Sequence, residues 1–331
     1  MVVFKVKKKL IAIVGATGLV GRTLIKIFDE YFSSELVFHL YASEKSVGKR
    51  IKVGKRNLIL KSLENDISFV YDFVFFLTDK EISKKYIKKF KTSSYVIDNS
   101  SAFRLDKSVP LIIPEINFDT FNNSHLIANP NCTTAICAIP IHTINEHYGV
   151  KSISVTTLQS VSGSGRNGIK ALTNPEISKS LYGYDISKTC VPKIGEISKE
   201  DYYEEECKII DEMRKILNNY ELKISATCVR VPIKNCHSAV VSLSLKKPFS
   251  IEEIKLLLNK NNQLEVFSNK EELPTSTLAY NSNKIYVGRL RIDLCRENSV
   301  LFYVCGDNLR RGAAYNAYKI MESIIDKNDR L

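Results

Sequence analysis

The residue types in this chain that could do chemistry are a cysteine at the start of a helix, a histidine, several separated cations and a glycine triplet. Cys132 stands in NPNCTT at 129–134, between a strand-like run and a helical stretch. The dipole and free N–H groups of a helix N-terminus lower a thiol's pKa and favour the nucleophilic thiolate. The other seven cysteines fall mid-strand, mid-helix or in loops without C-x-x-C spacing, so they read as free thiols in a reducing compartment, and no metal site is expected. Arg230 and His237 bracket RVPIKNCH, a guanidinium at one strand end and an imidazole before the next. They suit a substrate carboxylate and general acid/base work, although a lone histidine is more often a satisfied structural group. Glu205 and Lys208 sit three apart on one helical face, which alone reads as a surface ion pair. Arg104 follows a strand end, where ligand loops lie.

The glycines of GATGLVG, Gly15, Gly18 and Gly21, lie between the first strand and the first helix. There they permit a tight turn and close approach of backbone to a pyrophosphate. The triplet alone is weak, and its context gives it weight. The second strand runs into Ser43, Glu44, Lys45 and Ser46. An NAD site usually places an acidic group here and an NADP site cations and hydroxyls, so Ser43, Lys45 and Ser46 predict NADP, whereas an inward Glu44 would invert the preference.

These groups need elements to hold them. Apolar, β-branched runs at 10–14, 35–42, 73–77, 95–98 and 126–128 alternate with helical segments such as 19–28, which predicts a parallel sheet wrapped by helices. A helix is expected at 133–147, kinked or split by Pro140 near Ile139. Beyond it, strand-like runs at 153–160, 224–231, 239–245 and 300–304, some antiparallel neighbours, alternate with helices at 198–217 and 251–259. The expected class is α/β, a Rossmann-type dinucleotide-binding domain with a second α+β domain, the chain closing on a helix at 308–325.

Composition narrows the classes. The 331 residues carry a net charge of +12. The lysines are scattered, as on 80–90, where Ile82, Tyr86, Ile87 and Phe90 form an apolar face and Lys84, Lys85, Lys88 and Lys89 are left to water, so no nucleic-acid partner is expected. Lys5, Lys7, Lys8 and Lys9 precede an apolar run of about five residues, too short for an export signal, and no run of about 18 apolar residues occurs. A cytoplasmic protein without membrane contact is expected.

Taken together, GATGLVG at 15–21, NSSAFR at 99–104, NPNCTT at 129–134, LQSVSGSG at 158–165, EECK at 205–208, SATCVRVP at 225–232, VGRLR at 287–291 and GDNLRRGAA at 306–314 resemble aspartate-semialdehyde dehydrogenase over nearly the whole chain. The resemblance implies an NADP-binding domain at 1–131 completed by the C-terminal helix at 307–331, a catalytic and dimerisation domain at 132–306, and a homodimer or homotetramer. It implies Cys132 as acyl-thioester nucleophile, His237 as acid/base and Gln159 as the residue orienting the substrate. Arg230 would bind the substrate's carboxylate, Glu205 its amino group, and Arg104 and Lys208 the phosphate, with Asn131 also at the substrate. Thr17, Gly18, Leu19, Val20, Lys45, Ser46, Ser162, Gly163 and Asn308 would contact NADP. The implied reaction is NADPH-dependent reductive dephosphorylation of aspartyl phosphate. Departures from the family's pattern are Lys45, where arginine is common, and Asp79, where the loop near the cofactor is usually of small residues. The rivals are N-acetyl-glutamyl-phosphate reductase, with a longer substrate and an acylated amine, and a non-catalytic paralogue of the same fold.

Overall fold

The computed structural model describes residues 9–31, 36–64, 70–90, 94–269 and 271–329. Lys5, Lys7, Lys8 and Glu35 of the runs above lie outside the described residues. The chain forms two compact units, 1–130 with 314–331, and 131–313.

The first unit is built on β1 (Lys9–Val14), α1 (Leu19–Tyr31), β2 (Leu36–Tyr41), β3 (Arg50–Val53), β4 (Arg56–Lys61), β5 (Phe73–Phe76), α2 (Lys80–Tyr86), β6 (Tyr95–Asp98), α3 (Pro114–Asn117) and β7 (Leu126–Ala128). Its sheet has the order β3-β4-β2-β1-β5-β6-β7 and is parallel except for the edge pair β3–β4. Strands buried on both faces must be apolar throughout, and β5 shows this with Phe73, Val74, Phe75 and Phe76 all buried. The hairpin β3–β4 is an addition to the sequence reading. Its two-residue turn, Gly54-Lys55 with Gly54 at φ +55°, is an ordinary hairpin signal among charged residues.

The second unit comprises α4 (Cys132–Tyr148), β8 (Val150–Gln159), α5 (Gly165–Ala171), α6 (Pro175–Tyr182), α7 (Glu204–Ile216), β9 (Lys223–Arg230), β10 (His237–Leu245), α8 (Ile251–Asn259), β11 (Leu264–Val266), α9 (Ser276–Ala279), β12 (Ile285–Ile292) and β13 (Ser299–Gly306). Its mixed sheet has the order β11-β12-β13-β10-β8-β9. One layer of helices packs on it, α4 against β8, β10 and β13, α7 against β9, and α8 against β11 and β12. Of the kink or split expected at Pro140, the split does not occur, and α4 is one helix from Cys132 to Tyr148. Proline forfeits one backbone hydrogen bond. Burial of Ile136, Cys137, Ala138, Ile139, Pro140 and Ile141 holds the helix together around that loss. α7 starts six residues later than expected, because Glu200 and Asp201 take φ of +50° and +64° and Tyr203 becomes the cap, its N–H donating to Glu206 Oε2 at 2.8 Å.

The chain returns to the first unit through α10 (Tyr315–Asn328). Ala317, Tyr318, Ile320, Met321 and Ile324 of α10 join Ile11, Ile13, Leu24, Phe28, Phe75 and Ile97 in one apolar core. A π-helical turn, Arg310–Ala314, precedes α10, so the return begins at Ala314 and not at 307. Residues 307–313 belong to the second unit, where Asp307 accepts the N–H groups of Asn281, Leu309 and Arg310.

Candidate active site

The sheet register of the second unit gathers three of the expected residues. Arg230 on β9 pairs with Gln159 on β8, and Gln159 pairs with His237 on β10, so the three stand in one row across neighbouring strands. All three are buried. Gly306 of β13 extends the row beside His237, and a Cβ on it would lie 3.0 Å from Ile136 of α4. α4 therefore lies close over this end of the sheet, and Cys132 is its first residue. A Cβ on Gly312 would lie 2.9 Å from both Cβ and O of Cys132, so that glycine is the floor against which the cysteine rests.

Asn131 ties the helix that Cys132 opens to α7. Its Oδ1 accepts the N–H groups of Thr133 (2.8 Å) and Thr134 (3.3 Å), an N-cap of the usual kind. Its Nδ2 donates to Glu205 Oε1 at 2.8 Å, and its backbone N–H to Glu212 Oε2 at 2.6 Å. Lys208 Nζ lies 3.6 Å from Glu205 Oε2. The surface-pair reading of Glu205 and Lys208 is thus corrected: Glu205 is buried and held at the helix start. Glu206 and Glu212 are buried too, Glu206 accepting the N–H of Cys228 at 2.9 Å. The sequence reading missed both, although Glu205, Ile209, Glu212 and Ile216 share one buried stripe of α7.

Around His237 a second network closes. The Ser160 N–H donates to His237 Nδ1 at 3.1 Å, and Arg230 Nη1 donates to Ser160 O at 2.7 Å. Burial, and next the Arg230 guanidinium, push the imidazole down to about 3, with the Cys236 backbone pulling the other way. Ser162 and Asn308 are buried and bonded to each other here, and Gly163 faces Arg230 and His237. Cys236, just before the histidine, holds φ +73°, uncommon for a residue with a side chain.

In the first unit, Gly15 has φ +87°, and a Cβ there would lie 2.4 Å from the Leu77 carbonyl oxygen. A Cβ on Gly21 would lie 2.3 Å from the Gly15 carbonyl oxygen. The Gly18 N–H donates to that same oxygen at 2.9 Å, and α1 opens directly afterwards at Leu19 and Val20. A cleft of about 390 Å³ borders this turn, lined by Gly15, Thr17, Gly18, Ser43, Glu44, Ser62, Thr78 and Asp79 among others. Bare backbone at a helix start beside a cleft of this size fits a dinucleotide's pyrophosphate. Glu44 accepts the hydroxyl of the buried Ser62, and Lys45 and Ser46 complete its 3₁₀ turn without lining the cleft. Asp79 is explained by its geometry: it caps α2, accepting the N–H groups of Glu81 (3.1 Å) and Ile82 (3.0 Å). Arg104 is buried after β6 and donates to Asn99 O at 2.7 Å. The nearby Asp98 is raised above the usual carboxylate range by burial, while Ser83 and Ser100 hydrogen bonds oppose the shift. Among the described residues no group of three His, Cys, Asp or Glu could hold a metal, and no helix is long and apolar enough to cross a membrane.

Comparison with known proteins gives this geometry its class. The family models described as semialdehyde dehydrogenase, NAD binding domain, and semialdehyde dehydrogenase, dimerisation domain, match residues 10–124 and 141–311. The chain is 36% identical to an aspartate-semialdehyde dehydrogenase of Aquifex aeolicus, over 95% of this chain and 97% of that protein. It is 34% identical to one of Rickettsia conorii, over 97% and 98%. The chain belongs to the aspartate-semialdehyde dehydrogenase family. Among solved structures, aspartate semialdehyde dehydrogenase II of Vibrio cholerae, complexed with ASA, superposes with a TM-score of 0.90 at 31% identity, covering 97% of this chain and 99% of that one. The Candida albicans aspartate semialdehyde dehydrogenase with NADP shares the fold at a TM-score of 0.79 and 23% identity, covering 97% and 99%. The α/β class, a parallel-sheet NAD-binding domain with a second dimerisation domain, is the one expected from the sequence.

Proposed function

We propose that this oxidoreductase of amino-acid biosynthesis carries out the NADPH-dependent reductive dephosphorylation of L-aspartyl 4-phosphate to L-aspartate 4-semialdehyde, leading to lysine and diaminopimelate, threonine and methionine. The observation that carries the reading is the row Arg230, Gln159, His237 on three adjoining strands, in the unit where Cys132 opens α4. The Cys132 thiolate attacks the acyl carbon, the C–S bond forms, and the C–O bond to phosphate breaks with its electron pair leaving on inorganic phosphate. NADPH, when bound, supplies the hydride that reduces the thioester carbon. The C–S bond then breaks, returning sulfur to the thiolate as the aldehyde leaves. Gln159 orients the substrate and His237 is the acid/base, while Arg230 binds the α-carboxylate, Glu205 the ammonium, and Arg104 and Lys208 the phosphate. The buried Glu205 carboxylate beside Asn131 favours a free ammonium over the acylated amine of the N-acetyl-glutamyl rival, which needs an apolar pocket instead.

Ser43, Lys45 and Ser46 supply hydroxyls and a cation for the 2′-phosphate, while the Glu44 carboxylate is engaged by Ser62. Free cysteines on and around the site suit a cytoplasmic, reducing setting. A homodimer is supported by the face of the second sheet opposite the catalytic row, where Val240 lies open at mid-strand between Thr156 and Tyr303.

The test is intact mass after incubation with aspartate semialdehyde and NADP in the absence of phosphate. An acyl adduct is expected on the wild type and not on Cys132→Ser, which should lose several orders of magnitude in turnover. A fully active Cys132→Ser protein would remove the basis of the reading.

A further inference from the structure

The turn that carries Cys132 is held from outside its own helix by a residue with no part in the steps above, an inference that rests on the proposed thioester chemistry and deepens it. A helix start leaves N–H groups without intrahelical acceptors. In a capping box, the N–H of the cap itself is taken by a Glu or Gln at the third helical position. α7 and α8 close such a box with Glu206 and Glu253. In α4 the third position is Thr134, whose buried hydroxyl makes no hydrogen bond among the described residues. The Asn131 N–H donates instead to Glu212 Oε2 of α7 at 2.6 Å, 81 residues further along the chain.

Glu212 is 1% exposed. A carboxylate that far from water is costly to keep unless hydrogen bonds hold it, and a bond to a charged acceptor is roughly twice as strong as a neutral one. Glu205 lies about two turns earlier on the same buried face of α7 and accepts Asn131 Nδ2 at 2.8 Å. Two carboxylates of one helix thus grip the backbone and the side chain of the residue that caps the other. Asn131 O accepts the Ala135 N–H at 2.8 Å, and Oδ1 the N–H groups of Thr133 and Thr134, so every polar atom of the cap has a partner. α7 is itself fixed, because Glu206 Oε1 accepts the N–H of Cys228 at 2.9 Å on the edge strand β9, which ends at Arg230. α7 therefore links the turn of Cys132 to the strand of Arg230.

We propose that Glu212 is a positioning residue for Cys132: from α7 it supplies the acceptor that α4 lacks, and so keeps the first turn of α4 and its thiol aligned with the row of Arg230, Gln159 and His237. It acts through Asn131 and not on a reacting atom. Attack by sulfur needs a near-attack geometry, in which a misplacement of about 1 Å costs roughly 10²-fold. A frayed first turn would also scatter the N–H groups whose partial charge favours the thiolate.

The test compares two variants of the full-length protein. Glu212→Gln keeps an acceptor for the Asn131 N–H, whereas Glu212→Met fills similar space without one. In Glu212→Met, kcat and the rate of iodoacetamide alkylation at Cys132, followed by peptide mass, should fall together by about 10–100-fold. The KM values for aspartate semialdehyde and NADP should change by less than about threefold, since binding groups are untouched. Glu212→Gln should recover most of the lost kcat and alkylation rate. Wild-type values in Glu212→Met overturn the proposal, as does a loss confined to KM or a Glu212→Gln protein as impaired as Glu212→Met. If Glu212→Met does not fold, Glu212→Asp, which draws the carboxylate back by one methylene, replaces it with the same expected fall and the same overturning results. The acyl adduct on wild-type Cys132 separates the two readings: its absence removes the proposed chemistry, whereas its presence with an unimpaired Glu212→Met removes only this role for Glu212.

Discussion

At the scale of single residues, His237 carries a stability signature that is independent of catalysis. Burial and the Arg230 charge depress its pKa from 6.5 to about 3 in the folded chain, so the neutral ring is favoured by folding. Its contribution is therefore present above pH 6.5 and is lost as pH falls towards the folded value, because the unfolded chain binds the extra proton first. Each pH unit in that window is worth about 1.4 kcal/mol for one proton. Urea unfolding of wild type and His237→Asn should show the stability difference between them narrowing by roughly 1.5 kcal/mol from pH 6.5 to pH 5. A difference that stays constant would show that the ring is hydrated or already charged. Legibility at this scale divides along chain distance. The helix start beside Cys132 was readable because the strand-like run, the NPN turn and the helical stretch are neighbours in sequence. Glu212 was not, since its bond to Asn131 spans 81 residues and only the packing of α7 on α4 creates it.

At the scale of elements, the site depends on how closely α4 approaches the segment after β13. Gly312 lies in the π-helical turn Arg310–Ala314, where the sequence reading had one uninterrupted helix from 308, because helical periodicity does not reveal a single widened turn. A Cβ at that position would meet backbone atoms of Cys132, O at 2.9 Å and Cα at 3.1 Å, which cannot swing aside as a flexible side chain can. Gly312→Ala should therefore displace the first turn of α4. With Cys132 as the proposed nucleophile, a shift on the order of 1 Å there costs about 10²-fold in turnover. Gly48→Ala is the control: it also changes a glycine, at φ +79°, but no atom lies within 4 Å of its Cβ position. Turnover and the rate of Cys132 alkylation should fall together in Gly312→Ala and change little in Gly48→Ala. Equal effects in the two would show that α4 accommodates the methyl group. Elsewhere the strands of the first unit were legible to within a residue or two, since a parallel sheet demands continuous apolar runs, and β3–β4 was overlooked because charged residues mask its alternation.

At the scale of the whole molecule, the second sheet turns one face to its helices and the row of Arg230, Gln159 and His237, and the other face carries a different row made by the same strands. Thr227, Thr156, Val240 and Tyr303 align across β9, β8, β10 and β13, three residues from Arg230, Gln159 and His237 along their strands and so on the opposite face. The sequence showed that a second domain existed but not which face lacked a covering layer, because alternation in antiparallel strands marks two faces without saying what lies on either. Val240, 36% exposed at the middle of an interior strand, marks the open face. An apolar residue there is suited to a self-complementary contact, in which the same patch serves both subunits of a two-fold pair. Val240→Arg would set two guanidinium groups near the centre of such a contact, desolvated and of like charge, which costs several kcal/mol. Light scattering should give twice 37.5 kDa for the wild type and 37.5 kDa for the variant at micromolar concentration, while Val240→Thr, matched to its Thr156 neighbour, remains a dimer. The circular dichroism of Val240→Arg should stay that of the folded chain, since the new side chain points away from the core. A dimer that survives Val240→Arg would place the subunit contact on another face of the molecule.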